Sequence, residues 1–65
     1  MFGEHMDSDL LGARLRDARE AKRLSLRALA TAVGVSPSLL SQVETGKTRP
    51  SVSTLYALVT ELEIS

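Results

Sequence analysis

The sequence of 65 residues predicts an all-α domain that folds as a compact four-helix bundle, with a truncated five-helix bundle as the alternative. Three observations predict this fold class. Apolar residues recur at spacings of three and four along most of the chain, which is the helical period. Serine or proline precedes these stretches and glycine follows two of them, as at helix ends. No stretch shows the alternation with a period of two that marks a strand.

Helix one is predicted from Asp9 to about Lys22. Its apolar residues at helical spacing are Leu11, Leu15 and Ala18. The opening residues have no such pattern and resemble a remnant of cloning. We therefore expect residues 1–8 to be a disordered N-terminal segment or such a remnant, and residues 9–65 to form the domain.

Two short helices follow, each with its own start and stop signals. Helix two begins after Ser25, a favourable N-cap, and ends at Gly34. Helix three begins after Ser36, has proline at its first position, and is stopped by Gly46. The predicted inward residues are Leu26, Leu29, Ala30 and Val33 in helix two, and Leu40 and Val43 in helix three.

Helix four is opened by Pro50 and Ser51. Its predicted inward stripe is Val52, Leu55, Val59 and Leu62, widened by Leu58. Its outward or sideways residues are Ser53, Tyr56 and Thr60. The chain ends on an apolar residue and a cap-type serine, where a further helix would start, so we expect it to be a fragment of a longer protein.

The charge of the chain is unevenly distributed although its formal net value is zero. Residues 1–9 and 51–65 carry acids and no bases. The segment from Leu10 to Pro50 holds eight bases against three acids, a surplus of five. Such a local surplus favours a polyanionic partner.

Several function classes are disfavoured by what the sequence lacks. There is no cysteine, so no disulfide framework is expected, and the chain fits a reducing, cytoplasmic setting. No apolar run approaches the roughly 18 residues of a membrane span. The single histidine, His5, lies in the opening segment, and no nucleophile–base pair, metal-ligand spacing or phosphate loop is visible. We expect no enzyme, no catalytic residue, no metal and no cofactor.

Residues 26–45, LRALATAVGVSPSLLSQVET, resemble the helix-turn-helix of the lambdoid-repressor or XRE family. The resemblance extends over about Leu11 to Ile64. It implies a lambda-repressor-like DNA-binding domain of a bacterial transcription regulator, a repressor or an activator, with a double-stranded DNA operator as partner. The sequence is also similar to N-terminal domains that precede a C-terminal sensor domain, often a cupin, which would bind a small-molecule effector.

The resemblance also implies roles for individual residues. The recognition helix, about residues 37–45, would enter the major groove. The residues expected to read bases are Ser36, Ser38, Leu39 and Gln42. Gln42 is the best reader, because its amide can donate and accept toward adenine, whereas Leu39 could equally be a spare surface leucine. The residues expected to contact phosphate are Ser25, Arg27, Ser41, Lys47, Thr48 and Arg49.

The family pattern further predicts a partly buried ion pair between Arg19 and Glu44, and a homodimer of the full-length protein on a near-palindromic site. Two unrelated surface charges are the alternative for the pair. The sequence departs from the pattern at Arg23 and Glu63, where glycine is common, and at Leu26, where glutamine is common. A helical protein-interaction module without DNA binding is the alternative function.

Overall fold

Four α-helices follow one another in the computed structural model, which describes residues 3–64 and their side chains from residue 10 onward. They are α1 (Gly3–Ala21), α2 (Leu26–Val33), α3 (Pro37–Glu44) and α4 (Val52–Leu62). No strand occurs within residues 3–64. The all-α fold class is therefore confirmed. No helix in this part of the chain is long and apolar enough to cross a bilayer.

The predicted start of the first helix at Asp9 is wrong, because α1 already begins at Gly3. Residues 3–8 continue this helix toward the N-terminus. Once one helical turn exists, each further residue fixes only its own backbone angles and adds a hydrogen bond. A helix can therefore extend through a segment that has no apolar periodicity.

The other three helices begin at capping serines, as the sequence predicts. Ser25, Ser36 and Ser51 each accept a hydrogen bond from the backbone N–H three residues later, at 3.0, 3.1 and 3.2 Å. Each bond satisfies one of the amides that a helix start leaves without an internal partner. The predicted boundaries of α2, α3 and α4 therefore rest on local side-chain chemistry.

The core draws on all four helices. Its buried residues are Leu15 from α1, Leu29 and Ala30 from α2, Leu40 and Val43 from α3, and Leu58 and Leu62 from α4. The predicted place of Val52 in the inward stripe of α4 is wrong, since its side chain is 86% exposed. Helix α4 turns Leu58 and Leu62 toward the other helices, and Val52 lies outside the face that these two leucines define.

Helix α1 crosses the end of α3 at Gly12. A Cβ atom at this glycine would lie 2.5 Å from the carbonyl oxygens of both Val43 and Glu44. Glycine in a helix interior is less favourable than alanine by roughly 0.5–1 kcal/mol. The close approach of the two backbones is the structural reason for the glycine.

Two helix ends adopt the left-handed conformation without glycine. Arg23, after α1, has φ 59°, and Glu63, after α4, has φ 57°. These are the two positions at which the family pattern often has glycine, so the structure explains that preference. The Nζ of Lys22 lies 3.1 Å from Oε1 of Glu63, so the ends of α1 and α4 lie close together.

Candidate nucleic-acid interface

A tight turn of three residues, 34–36, joins α2 to α3. Gly34 has φ 80°, and its N–H donates to the carbonyl of Ala30 at 2.9 Å. The N–H of Val35 donates to the same carbonyl at 3.0 Å, and its side chain packs against the core. Ala30 is fully buried, and its small side chain allows a close approach of the neighbouring helix. The turn therefore fixes α3 against α2.

Helix α3 is divided into an inner and an outer face. Leu40 and Val43 are buried in the core. Ser38, Leu39 and Gln42 are exposed, with Leu39 at 38%. Gln42 follows Leu39 by three residues and Ser38 by four, so both lie beside Gln42 on one side of the helix. The structure thus brings three of the four expected base readers together on a single solvent-facing surface.

The fourth expected reader, Ser36, is committed to capping. Its Oγ accepts from the N–H of Leu39 at 3.1 Å. Pro37 carries no N–H, so the N–H of Ser38 is the remaining amide donor in the first turn of α3. In α2, Ser25 caps the N–H of Ala28 at 3.0 Å and leaves the amides of Leu26 and Arg27 at the helix start. Both starts carry partial positive charge that suits an anion.

The loop after α3 folds back onto Gln42. The carbonyl oxygen of Gln42 accepts from the N–H of Lys47 at 2.9 Å and from the N–H of Thr48 at 3.3 Å. Thr45 Oγ1 donates to the carbonyl of Ser41 at 3.0 Å. Lys47 is exposed and Thr48 is half-buried. These hydrogen bonds fix the backbone of Lys47 and Thr48, two of the expected phosphate contacts, next to Gln42, the expected base reader.

The remaining phosphate candidates lie on the same elements. Arg27 is exposed in the first turn of α2, and Ser41 is exposed on α3. Arg49 is exposed between the end of α3 and the start of α4. All six expected phosphate residues thus lie on α2 or α3, in the loop that follows α3, or, in the case of Ser25, at the N-cap of α2.

Arg19 and Glu44 form a two-point ion pair. Arg19 Nε donates to Glu44 Oε2 at 2.8 Å, and Nη2 donates to Oε1 at 3.1 Å. The two side chains are 12% and 5% exposed. The hydrogen bonds to Glu44 raise the pKa of Arg19 above its ordinary value, although burial acts in the opposite direction.

The same arginine also fixes the turn between α1 and α2. Its Nη1 donates to the carbonyl of Leu24 at 2.9 Å. One guanidinium thus connects the end of α1, the turn before α2 and the last residue of α3. This network holds the end of α3 against α1.

The acids of the central segment do not lie on the outer surface of α2, α3 or the following loop. Glu44 is buried, and Glu20 pairs with Arg16 on α1 at 3.2 Å. Asp17, also on α1, lines a surface groove with Ile64. The exposed charges on α2, α3 and the loop are Arg27, Lys47 and Arg49. This surface is therefore positive although the chain is neutral.

Leu26 and Gly12 have structural roles that the motif pattern did not predict. The family often has glutamine at position 26. In this chain the position is occupied by Leu26, whose side chain is half-buried against the core and offers no polar group. Gly12 is essential to the crossing of α1 and α3, and sequence reasoning missed it. The signal was available, since a glycine inside a helical pattern often marks a close approach.

A family model described as "Helix-turn-helix domain" matches residues 10–64. The chain belongs to this family. The helix-turn-helix domain is also similar in structure to the restriction-modification controller protein C.AhdI from Aeromonas hydrophila. The TM-score is 0.86 and the identity 37%, over 92% of this chain and 91% of that chain. The predicted XRE-type, lambda-repressor-like identity is confirmed.

Relatives by sequence include regulators of greater length. The helix-turn-helix domain is 36% identical over 62 residues to the ImmF control region 10 kDa protein of Bacillus phage phi105, covering 92% of this chain and 69% of that protein. It is 37% identical over 54 residues to the HTH-type transcriptional regulator SutR of Escherichia coli (strain K12), covering 83% of this chain. The matched region spans only 30% of the length of SutR.

Proposed function

We propose that this helix-turn-helix domain binds double-stranded DNA in a sequence-specific way, as the DNA-binding part of a transcriptional regulator. The observation that carries the proposal is the division of α3 into a buried face and a solvent-facing surface formed by Ser38, Leu39 and Gln42. An α-helix with its side chains is about 10–12 Å across, which matches a major groove about 12 Å wide. The family and the names of the relatives support the same function.

In the proposed complex, the exposed side of α3 faces the base edges. Gln42 places its amide against adenine, accepting from N6 and donating to N7. Ser38 hydrogen-bonds to a base edge with less discrimination, and Leu39 contacts a thymine methyl group. Ser36 keeps its capping bond and approaches the DNA with its hydroxyl hydrogen.

The phosphate contacts lie around this surface. The amides at the starts of α2 and α3 face phosphate oxygens, and Arg27 adds charge at the first of them. Lys47, Thr48 and Arg49 follow the neighbouring backbone strand, with Ser41 beside them. Such contacts set the register of the domain and do not read sequence. Because the proposed partner is DNA, the protein is proposed to work in the compartment that contains the DNA.

A single domain of this size reads only a few base pairs. We therefore propose that two copies occupy half-sites about 34 Å apart, one turn of duplex, on a near-palindromic operator. The C-terminal sensor domain and its small-molecule effector, expected from the resemblance, stay a prediction.

Selection of bound sequences from random duplex DNA by the purified chain tests the proposal. The expected result is an enriched site, bound with an affinity that falls steeply with salt. Three exposed cations at phosphate positions predict a slope of roughly −3 per domain for log affinity against log salt. The absence of DNA binding at low ionic strength would contradict the proposal and would favour a protein-interaction module.

A further inference from the structure

Leu39 is an apolar side chain on the surface that is proposed to read bases. It is 38% exposed and lies in the first turn of α3. Helix α3 reaches the core through Leu40 and Val43, and Leu39 is not one of the described residues that form the core or pack against it. Gln42 follows Leu39 by three residues, so the two are neighbours on the helix surface. A single exposed leucine is ordinary, but this one lies beside the proposed adenine reader.

The backbone at Leu39 is held in place by the start of α3. Its N–H donates to Oγ of Ser36 at 3.1 Å, and the N–H of the next residue, Leu40, donates to the carbonyl of Ser36 at 3.1 Å. Leu40 is itself fixed in the core. The side chain of Leu39 therefore starts from a fixed point and is already partly covered. Ordering such a side chain against a partner costs less conformational entropy than ordering a fully exposed one.

The chemistry of leucine determines which feature of a base it can detect. In the major groove cytosine presents an amino donor at N4, whereas thymine presents an acceptor at O4 together with a methyl group on C5. A leucine side chain neither donates nor accepts a hydrogen bond, so it cannot distinguish the donor from the acceptor. It gains from the methyl group, because their contact removes apolar surface from water. Leu39 is therefore suited to detect the substituent on C5.

The same methyl group occurs on 5-methylcytosine, where it replaces the hydrogen on C5 and leaves the N4 amino group unchanged. At the base that Leu39 faces, thymine and 5-methylcytosine present one methyl group, whereas uracil and cytosine present none. Ser38 and Gln42, the other exposed residues of this surface, are polar and bind through hydrogen bonds. A response to the methyl group is therefore expected to depend on Leu39.

We infer that Leu39 reads C5 methyl groups, and that methylation of a cytosine in the operator strengthens binding by this domain. The inference rests on the proposed DNA binding and deepens it, because it names a chemical modification of the DNA as the regulator. An operator with cytosine opposite Leu39 binds more tightly once that cytosine is methylated. Burial of one methyl group contributes about 0.8 kcal/mol, which corresponds to a change of roughly 4-fold in affinity.

Uracil substitution locates the base that Leu39 faces. The purified chain is bound to its selected DNA, and each thymine is replaced in turn by uracil, which removes the methyl group and keeps the base pairing. Wild-type protein is expected to lose roughly 4-fold in affinity at one position. Leu39→Ala should lose nothing at that position. Because one methyl group and one side chain are removed separately and together, the comparison isolates the contact between them.

Cytosine methylation is then measured at the same position. Wild-type protein should bind DNA with 5-methylcytosine there roughly 4-fold more tightly than DNA with cytosine, and Leu39→Ala should bind the two alike. Leu39→Met keeps an apolar side chain of similar volume and should retain the response. Leu10→Ala is the matched control, since this leucine is 55% exposed on α1, outside the proposed DNA surface. It should respond to the methyl group as wild type does.

Each failure has a separate meaning. If wild-type protein binds no DNA, the proposed function fails. If it binds its selected DNA but neither uracil nor 5-methylcytosine changes the affinity, the proposed function stands and the inference is overturned. If Leu39→Ala keeps the full response, the methyl group acts through the shape of the DNA or through another side chain, and the inference is overturned as well.

Discussion

Arg19 and Glu44 are joined by two hydrogen bonds of 2.8 and 3.1 Å, although they lie 25 residues apart in the chain. Glu44 is the last residue of α3, and Arg19 lies in the last turn of α1. A third bond from the same guanidinium reaches the carbonyl of Leu24. The pair therefore connects the helix proposed to read DNA with the end of α1 and the turn before α2.

Loss of one partner should cost more than loss of both. Arg19→Met leaves the buried Glu44 carboxylate without a partner, and breaking such pairs typically costs about 3–5 kcal/mol. The double variant Arg19→Met/Glu44→Leu removes both charges and should recover much of that loss. Urea unfolding followed by circular dichroism measures the difference. A double variant that is as unstable as the sum of the two single variants would show that the two residues act independently.

Gly12→Ala should destabilise the fold, contrary to the usual effect of alanine in a helix. The added methyl would lie 2.5 Å from two carbonyl oxygens of α3, so one helix must shift. Crowding of this kind typically costs about 1–3 kcal/mol. Ala13→Gly is the matched control on the exposed side of α1, where glycine should cost about 1 kcal/mol. A gain of stability in Gly12→Ala would show that the crossing is looser than the structure indicates.

Arg23 and Gly34 both have left-handed backbone conformations at helix ends, and substitutions at them should have opposite effects on stability. Arg23→Gly should stabilise the domain by about 0.5–1 kcal/mol. A left-handed conformation costs an L-residue about 1–2 kcal/mol, and the greater entropy of glycine in the unfolded chain offsets only part of the gain from removing that cost. Gly34→Ala should destabilise it through φ 80° alone, since no atom lies within 4 Å of the added methyl. Thermal unfolding measures both. Shifts of the same sign would contradict the assignment of strain to these angles.

The parts of the fold that were predictable from sequence are those determined locally. Ser25, Gly34 and Ser36 mark helix ends because a cap depends on the chain within three or four residues. The rotation of α4 was not predictable in this way. Helical spacing allows both a stripe through Val52 and one through Leu58, and only the position of the other helices decides between them. The crossing at Gly12 has the same origin, because it joins residues 31 positions apart.

In the candidate interface, too, some features were predictable from the sequence and others were not. The exposure of Ser38 and Gln42 follows from the periodicity of α3, so the sequence was sufficient to predict it. The return of the loop onto the carbonyl of Gln42 requires the left-handed turn at Gly46 and hydrogen bonds between backbone groups, which no side-chain pattern encodes. That return links the proposed reader to the proposed phosphate contacts.

Gln42→Ala should relax sequence preference at one base position. Loss of a good bidentate contact costs about 1–3 kcal/mol on the preferred base pair. On DNA changed at that position, wild type and variant should bind alike. Fluorescence anisotropy with a panel of single-base substitutions measures this pattern. A uniform loss across the whole panel would assign Gln42 to the phosphate backbone or to the fold.

Lys47→Ala is the control for this measurement, because Lys47 is bonded through its backbone to Gln42 and differs in proposed role. It should weaken binding about equally on every member of the panel. It should also reduce the salt slope by about 1, as loss of one phosphate contact does.

Ser36→Asp should separate capping from DNA binding. Aspartate is as good an N-cap as serine, and its charge interacts favourably with a helix start. Stability should therefore stay within about 0.5 kcal/mol of wild type, whereas Ser36→Ala should lose about 1 kcal/mol. If the start of α3 faces DNA, the added carboxylate repels phosphate and binding falls at low salt in spite of the retained stability. Thr60→Asp, an exposed position on α4, controls for the change in net charge. Equal binding by Ser36→Asp and Thr60→Asp would show that the start of α3 does not approach the DNA.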